Sequence, residues 1–251
     1  MISDLKGFLD EWVSKINVPA YIETDPVQFP LKYSHLPDRE VAAFLTATIT
    51  WGNRKMILQS ATKMFAKMGS SPYDFVMSQG YEQLQGGNIH RTFFEKDLVY
   101  LCRGLRDCYL SFGGLEPVFA GKPSLWDGID TFRNTLAAAN GDVFSKHVSN
   151  PNTNSACKRL HLALRWLVRN DGIVDLGDWC SISPAELYIP LDVHVGRVSR
   201  TLGLLSRNQN DKKAVESLTM LLRSFNPLDP VVYDYALFGI GESRLDLNDI
   251  R

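Results

Sequence analysis

The chain has 251 residues, 45% of them hydrophobic and 22% charged, with 27 Lys and Arg against 28 Asp and Glu for a net charge of −1. Such a chain can bury a core without disulfides or metals, and it lacks the overall basicity of a protein that coats nucleic acid. No apolar run approaches a membrane span, and the opening MISDLKGFLDEWVSK is polar and amphipathic without a secretion core, so a cytoplasmic protein with no membrane partner is expected.

Taken in chain order, helical patterns dominate. Pro19 to Pro37 is proline-rich and reads as an ordered loop strapped over the surface. In DREVAAFLTATITW, Val41, Phe44, Leu45 and Thr48-Ile49 recur at helical spacing behind Asp38, a suitable N-cap. Past Trp51-Gly52-Asn53 the period resumes at Met56, Ile57, Ala61, Met64 and Phe65, and Gly69 stops it. SPYDFVMSQG gives a short helix with Pro72 at its first position. KDLVYLCRGLRDCYLSFGGL follows, closed by Gly113-Gly114, then SLWDGIDTFRNTLAAAN and DKKAVESLTMLLRSF. DPVVYDYALFGIG is the last helix, begun by Asp229 and Pro230. Alternating strand patterns with Asn-Gly or Asp-Gly turns are nearly absent, so the predicted fold is all-α.

Two segments carry residues suited to chemistry. In NSACKRLHLALRWLVRNDG, with Ser155 as N-cap, Leu160, Ala163, Leu164 and Leu167 share one face, and Lys158, Arg165 and Arg169 the opposite one. A basic side of this kind is ordinarily solvated. Lys158, however, falls in the first turn, against the positive end of the helix dipole and beside Arg159. In a site that is also partly dry, both effects favour the neutral amine that attacks a sugar or carbonyl carbon. In IPLDVHVGRVSRTLGLL, Asp192 precedes Val195, Val198 and Leu202, which share a face. It reads as an N-cap worth about 1 kcal/mol. A capped carboxylate is also rigid, charged and aimed, which suits it to stabilise a developing cation. Both readings of each segment stay open at this level.

Other patterns are less productive. Residues 151–223 hold ten Lys and Arg against seven Asp and Glu, which ordinary fluctuation accounts for. Cys102, Cys108, Cys157 and Cys180 form no C-x-x-C pair and read as reduced structural thiols. Asp192 and His194 make a D-x-H pair without a third ligand at helical spacing, so no metal is expected. FGIGES has no strand before it, and a helix C-cap accounts for its glycines better than a nucleotide site.

IPLDVHVGRV is similar to the helix of the helix–hairpin–helix DNA glycosylases that opens with their aspartate, and SACKRLHLALRWLVR resembles the helix carrying the Schiff-base lysine in their archaeal 8-oxoguanine DNA glycosylase branch. With ATITWGNRKMI, SPYDFV, HRTF and YDYALFGIG, these segments make nearly the whole chain similar to an uncharacterised bacterial, Bacteroidetes-type family near that branch. The resemblance implies an all-α, two-lobed glycosylase-like fold in a single unit, 1–251. Lobe one would lie at about 38–150 and a catalytic-lysine/aspartate lobe at 151–225, with 1–37 and 226–251 packing back on the body. No iron–sulfur cluster and no other cofactor is expected, because the four-cysteine C-terminal loop is missing.

The activity so implied is base-excision repair: a DNA glycosylase with AP lyase activity that removes an oxidised, 8-oxoguanine-like purine from double-stranded DNA. The base would flip into a pocket between the lobes. Lys158 matches the lysine that attacks C1′, and Asp192 the aspartate that stabilises the oxocarbenium-like sugar. One departure is plain. The L-P-G-x-G hairpin that grips a phosphate is absent between them, where the chain reads VRNDGIVDLGDWCSISPAELYIP. Candidate DNA contacts are Arg197 and Arg200, equally readable as solvated helix arginines, together with Arg165 and His194. In the Thr50–Arg54 stretch Trp51 could stack on a base, and Asn53 or Arg54 could fill the gap it leaves, although a Trp-Gly at a helix end more often packs and caps. Two other functions remain open: a non-catalytic nucleic-acid-binding protein on the same scaffold, and a small-molecule, nucleoside-type enzyme.

Overall fold

A computed structural model describes residues 4–243. The outermost parts of the expected end segments, 1–3 and 244–251, lie outside the described residues. The chain is mostly helical, as its periodicity predicts, and forms two compact units. A middle unit comprises Ile22–Asn150, and a terminal unit joins the chain up to Tyr21 with the chain from Pro151 onward. The segment 1–37 is therefore divided between the units.

The proline-rich stretch, read as an ordered loop, opens on a single helical turn, α2 (Pro19–Ile22), and continues in the middle unit. It forms 3₁₀ turns at Pro26–Gln28 and Pro30–Lys32, each opened by proline, which bury Val27 and Phe29. Helix α3 (Leu36–Thr48) starts earlier than Asp38, with Pro37 in its first turn and His35 at the cap position. Proline is favoured there because its missing N–H would be unpaired anyway. Asp38 is instead drawn inward, where its Oδ1 accepts from Ser71 Oγ (2.7 Å) and Tyr73 N (2.9 Å) at the start of α5 (Pro72–Met77). Between α3 and α5, α4 runs from Arg54 to Ala66. A two-stranded hairpin, β1 (Asn88–His90) with β2 (Phe93–Phe94), was not anticipated, being too short for an alternating pattern. Helices α6 (Glu95–Phe112) and α8 (Leu125–Ala138), separated by the single turn α7 (Glu116–Phe119), pack closely. A Cβ on Gly104 would lie 2.2 Å from Leu136 Cγ.

The terminal unit holds α1 (Leu5–Ile16), α9 (Lys158–Val168), α10 (Val193–Thr201), α11 (Lys212–Phe225) and α12 (Tyr233–Glu242). Helix α12 packs against both α1 and α10. This corrects the reading of FGIGES. Gly239 and Gly241 lie inside α12 rather than capping it, because they are where neighbouring helices come closest. A Cβ on Gly239 would meet Ile16 Cγ1 at 2.4 Å, and one on Gly241 would meet His194 Cβ at 3.0 Å. The stretch after α9 returns to cap its carboxyl end. Leu176 and Gly177 N–H donate to Trp166 O, and Trp179 N–H donates to Leu167 O. Gly177 turns there at φ +65°, so close to Asn170 that a Cβ would overlap it at 2.6 Å.

Candidate active site

Lys158 is the first residue of α9. Ser155 is not its N-cap, as the sequence suggested. Cys157 occupies that position in a left-handed conformation, φ +45°, and Ser155 pairs across an isolated bridge with Asp211. The left-handed turn swings the chain into the helix without a side-chain cap, and the Cys157 carbonyl accepts from Leu160 N and His161 N, both at 3.0 Å.

Asp192 caps α10 as its sequence position predicts. Its two oxygens have separate partners. Oδ1 accepts from Val195 N at 2.8 Å, while Oδ2 lies 3.3 Å from Lys158 Nζ. The capping bond fixes the rotamer, so the second oxygen is held toward the amine. The side chains are 32% and 13% exposed, which leaves the pair reachable from solvent. The 33 residues between Lys158 and Asp192 thus fold so as to bring the starts of the two helices together.

The rest of the basic face of α9 differs from expectation. Arg165 was a candidate phosphate contact on a solvated side, but it is 3% exposed and Arg169 only 1%. Arg165 pairs with Asp234 through Nη1 and with Asp175 at 3.3 Å. Arg169 pairs with Asp175, with Asp229 at 2.8 Å and with Asp171 at 3.0 Å. Both guanidiniums lie over the Tyr235 ring, 4.4 and 5.4 Å from its centroid. The planar, many-donor guanidinium makes such burial tolerable, because several acceptors can surround one charge. Asp229 and Asp234 lie more than fifty residues along the chain, and Asp171 and Asp175 sit in the loop that follows α9, so helical spacing could not reveal them.

Asp234, in the first turn of α12, was missed by sequence reasoning, although a single carboxylate between two tyrosines in an apolar helix was a visible anomaly. Burial pushes its carboxyl up to about 6 against the pull of Arg165. The charge of Asp192 contributes to that rise and that of Lys158 opposes it, so the buried cluster and the open pair feel each other.

The remaining candidates are placed as follows. Arg197 Nη2 donates to Gly241 O at 3.1 Å, and Arg200 donates to Arg207 O and to Asn210 Oδ1. His194 is exposed beside the Phe238 ring. In the middle unit Trp51 packs edge-on against His90 and stacks on His147, with ring centroids 4.7 and 5.8 Å away. Its carbonyl accepts from His90 Nε2 at 2.9 Å. Asn53 caps α4 through Met56 N (3.3 Å), and Arg54 opens that helix half-buried. Trp51 thus packs as the plainer reading expects, whereas the end of α3 is capped at Ile49 rather than at Trp51-Gly52, and Asn53 caps the start of the next helix. Cys102 and Cys108 are buried, and burial pushes the Cys108 thiol up to about 12. Among the described residues no cluster of three His, Cys, Asp or Glu is placed to hold a metal, and no helix is long and apolar enough to cross a membrane.

Lys158, Asp192 and Asp234 all fall within residues 25–243, the span over which the chain matches the pattern of a family described as "Protein of unknown function (DUF2400)". No curated protein matches the chain, and no solved structure does. With most of its length matched, the chain belongs to the DUF2400 family.

Proposed function

We propose that this protein is a lysine-dependent DNA glycosylase with AP lyase activity, on a helix–hairpin–helix glycosylase-like scaffold, that removes an oxidised purine from double-stranded DNA. The observation that carries the reading is the 3.3 Å approach of Lys158 Nζ to the capped carboxylate of Asp192, in a position open to solvent. The deprotonated Lys158 amine attacks C1′ as the glycosidic bond breaks, and the base leaves with the bonding electrons and takes a proton. Asp192 stabilises the positive charge that develops on the sugar. Opening of the sugar ring gives an iminium between Lys158 and C1′. Loss of the C2′ proton then expels the 3′ phosphate by β-elimination, and hydrolysis frees the lysine.

The test is borohydride trapping on a duplex containing 8-oxoguanine. A covalent protein–DNA adduct is expected with the native chain and none with Lys158→Gln. Folded protein that gives no adduct with any damaged duplex or abasic site overturns the proposal.

A second reading is favoured by one observation: three arginines assigned to phosphate, Arg165, Arg197 and Arg200, donate to groups of the protein itself. A small-molecule enzyme acting on nucleosides needs the same amine and carboxylate but no phosphate grip. Release of base from a free modified nucleoside, without trapping on DNA, selects it. Salt-sensitive DNA binding without trapping, unaffected by Lys158→Gln, selects a non-catalytic binder on the same scaffold.

A further inference from the structure

A short loop of the terminal unit, Arg207 to Lys212, touches both segments that carry the candidate pair. On one side Asn210 Nδ2 donates to the backbone carbonyl of Asp192 at 2.9 Å, and Asn210 Oδ1 accepts from Arg200 at 2.5 Å. On the other side the Asp211 carboxylate accepts from Asn154 Nδ2 at 2.9 Å, and Lys212 N donates to Asn154 O at 3.0 Å. Ser155 bridges to Asp211, three residues before Lys158. Asp211 is itself anchored, capping α11 through Ala214 N (3.0 Å) and paired with Arg207, whose hydrogen bond holds its carboxyl well below the ordinary range. Three consecutive residues thus clamp the chain leading into Lys158 to the residue that faces it.

Gly196 supports the same clamp. A Cβ there would fall 2.5 Å from Asn210 Oδ1 and 2.9 Å from its Nδ2. The absence of a side chain at this turn of α10 lets the Asn210 amide lie across the helix and reach the Asp192 carbonyl. That carbonyl already accepts the first helical bond, from Gly196 N at 2.9 Å, so the amide gives it a second donor and fixes the orientation of the peptide.

We infer that Asn210 is a positioning residue: through the Asp192 carbonyl it sets the distance between the Asp192 carboxylate and the Lys158 amine. This deepens the proposed function and rests on that reading only for the activity measurement below. Asn210 is exposed, so its replacement is compatible with folding. Asn210→Asp keeps the acceptor for Arg200 and replaces the donor with an oxygen that repels the carbonyl. Gly196→Ala displaces the amide from the other side.

Two measurements test this. The first is reductive alkylation of Lys158 by a small aldehyde with cyanoborohydride, read by peptide mass spectrometry against Lys213 of the same molecule. Asn210→Asp and Gly196→Ala should each change the ratio about three- to tenfold, the worth of one hydrogen bond, in the direction given by Asp192→Asn. The second is borohydride trapping on the 8-oxoguanine duplex, which should slow by a similar factor in Asn210→Asp. An altered alkylation ratio in a chain whose native form traps no DNA refutes the glycosylase reading and leaves the positioning role standing. Unaltered alkylation in Asn210→Asp, with or without a fall in Tm, makes Asn210 a loop brace only and overturns the inference.

Discussion

The two ends of helix α9 make opposite uses of the same kind of pairing. Lys158 and Arg165 stand two turns apart, about 10 Å along the axis, and both meet aspartates. At the carboxyl end two guanidiniums are enclosed by Asp171, Asp175, Asp229 and Asp234 and covered by Tyr235, and that charge is committed to the fold. At the amino end a single amine meets a single carboxylate, half-open to solvent, and one of that carboxylate's oxygens is already committed to a helix cap. A basic stripe on an amphipathic helix therefore says little about which of its charges are free to act. What separates them is the number of acceptors gathered around each one.

The comparison breaks most sharply at Asp175, which is shared by both buried arginines. Asp175→Asn should cost about 3–5 kcal/mol in urea unfolding, since it leaves buried charge uncompensated. A loss as small as that of a surface pair would mean the cluster is not dry. Asp192→Ala comes next, at about 1 kcal/mol for the lost cap, whereas Asp192→Asn, which keeps a capping oxygen, should unfold near the native midpoint yet slow any base release. Lys158→Gln should change stability by less than about 1 kcal/mol, because an ion pair whose amine reaches solvent contributes little, while abolishing trapping. A Lys158 variant as destabilised as Asp175→Asn would erase the distinction between the two ends.

A carboxylate of the middle unit sharpens the point by pH. Glu95 accepts from Gly87 N (2.8 Å) and pairs with Lys67 (2.8 Å). The Lys67 hydrogen bond and then the Gly87 amide hold its carboxyl down at about 2, against an ordinary 4.5. Because the folded value is the lower one, its contribution is fully present above pH 4.5 and lost as pH falls toward 2. The urea midpoint of the native chain should therefore drop more between pH 5 and pH 3 than that of Glu95→Gln. Equal slopes would place the acid sensitivity elsewhere.

Much of the local structure was legible. Pro72 and the glycine after Phe112 fall where the sequence puts them, and the Asp192 cap forms as its position requires. Ser155 failed as a cap because Cys157 takes the left-handed turn nearer the helix, a choice stabilised by the bridge to Asp211 more than fifty residues on. The glycines of α12 were misread because a glycine that ends a helix and one that admits a neighbouring helix look alike in a single sequence.

The sequence by itself determined the all-α class, most helix limits and the placement of Lys158 and Asp192 in opening turns. Those features depend on residues three or four apart, whose interactions are set by the chain's own geometry. Only the tertiary structure decided that Arg165 and Arg169 are buried, that Asp234 pairs with Arg165, and that Lys158 and Asp192 meet at 3.3 Å. A buried charge needs partners from whichever segments the fold brings to it, and spacing along one helix carries no record of them.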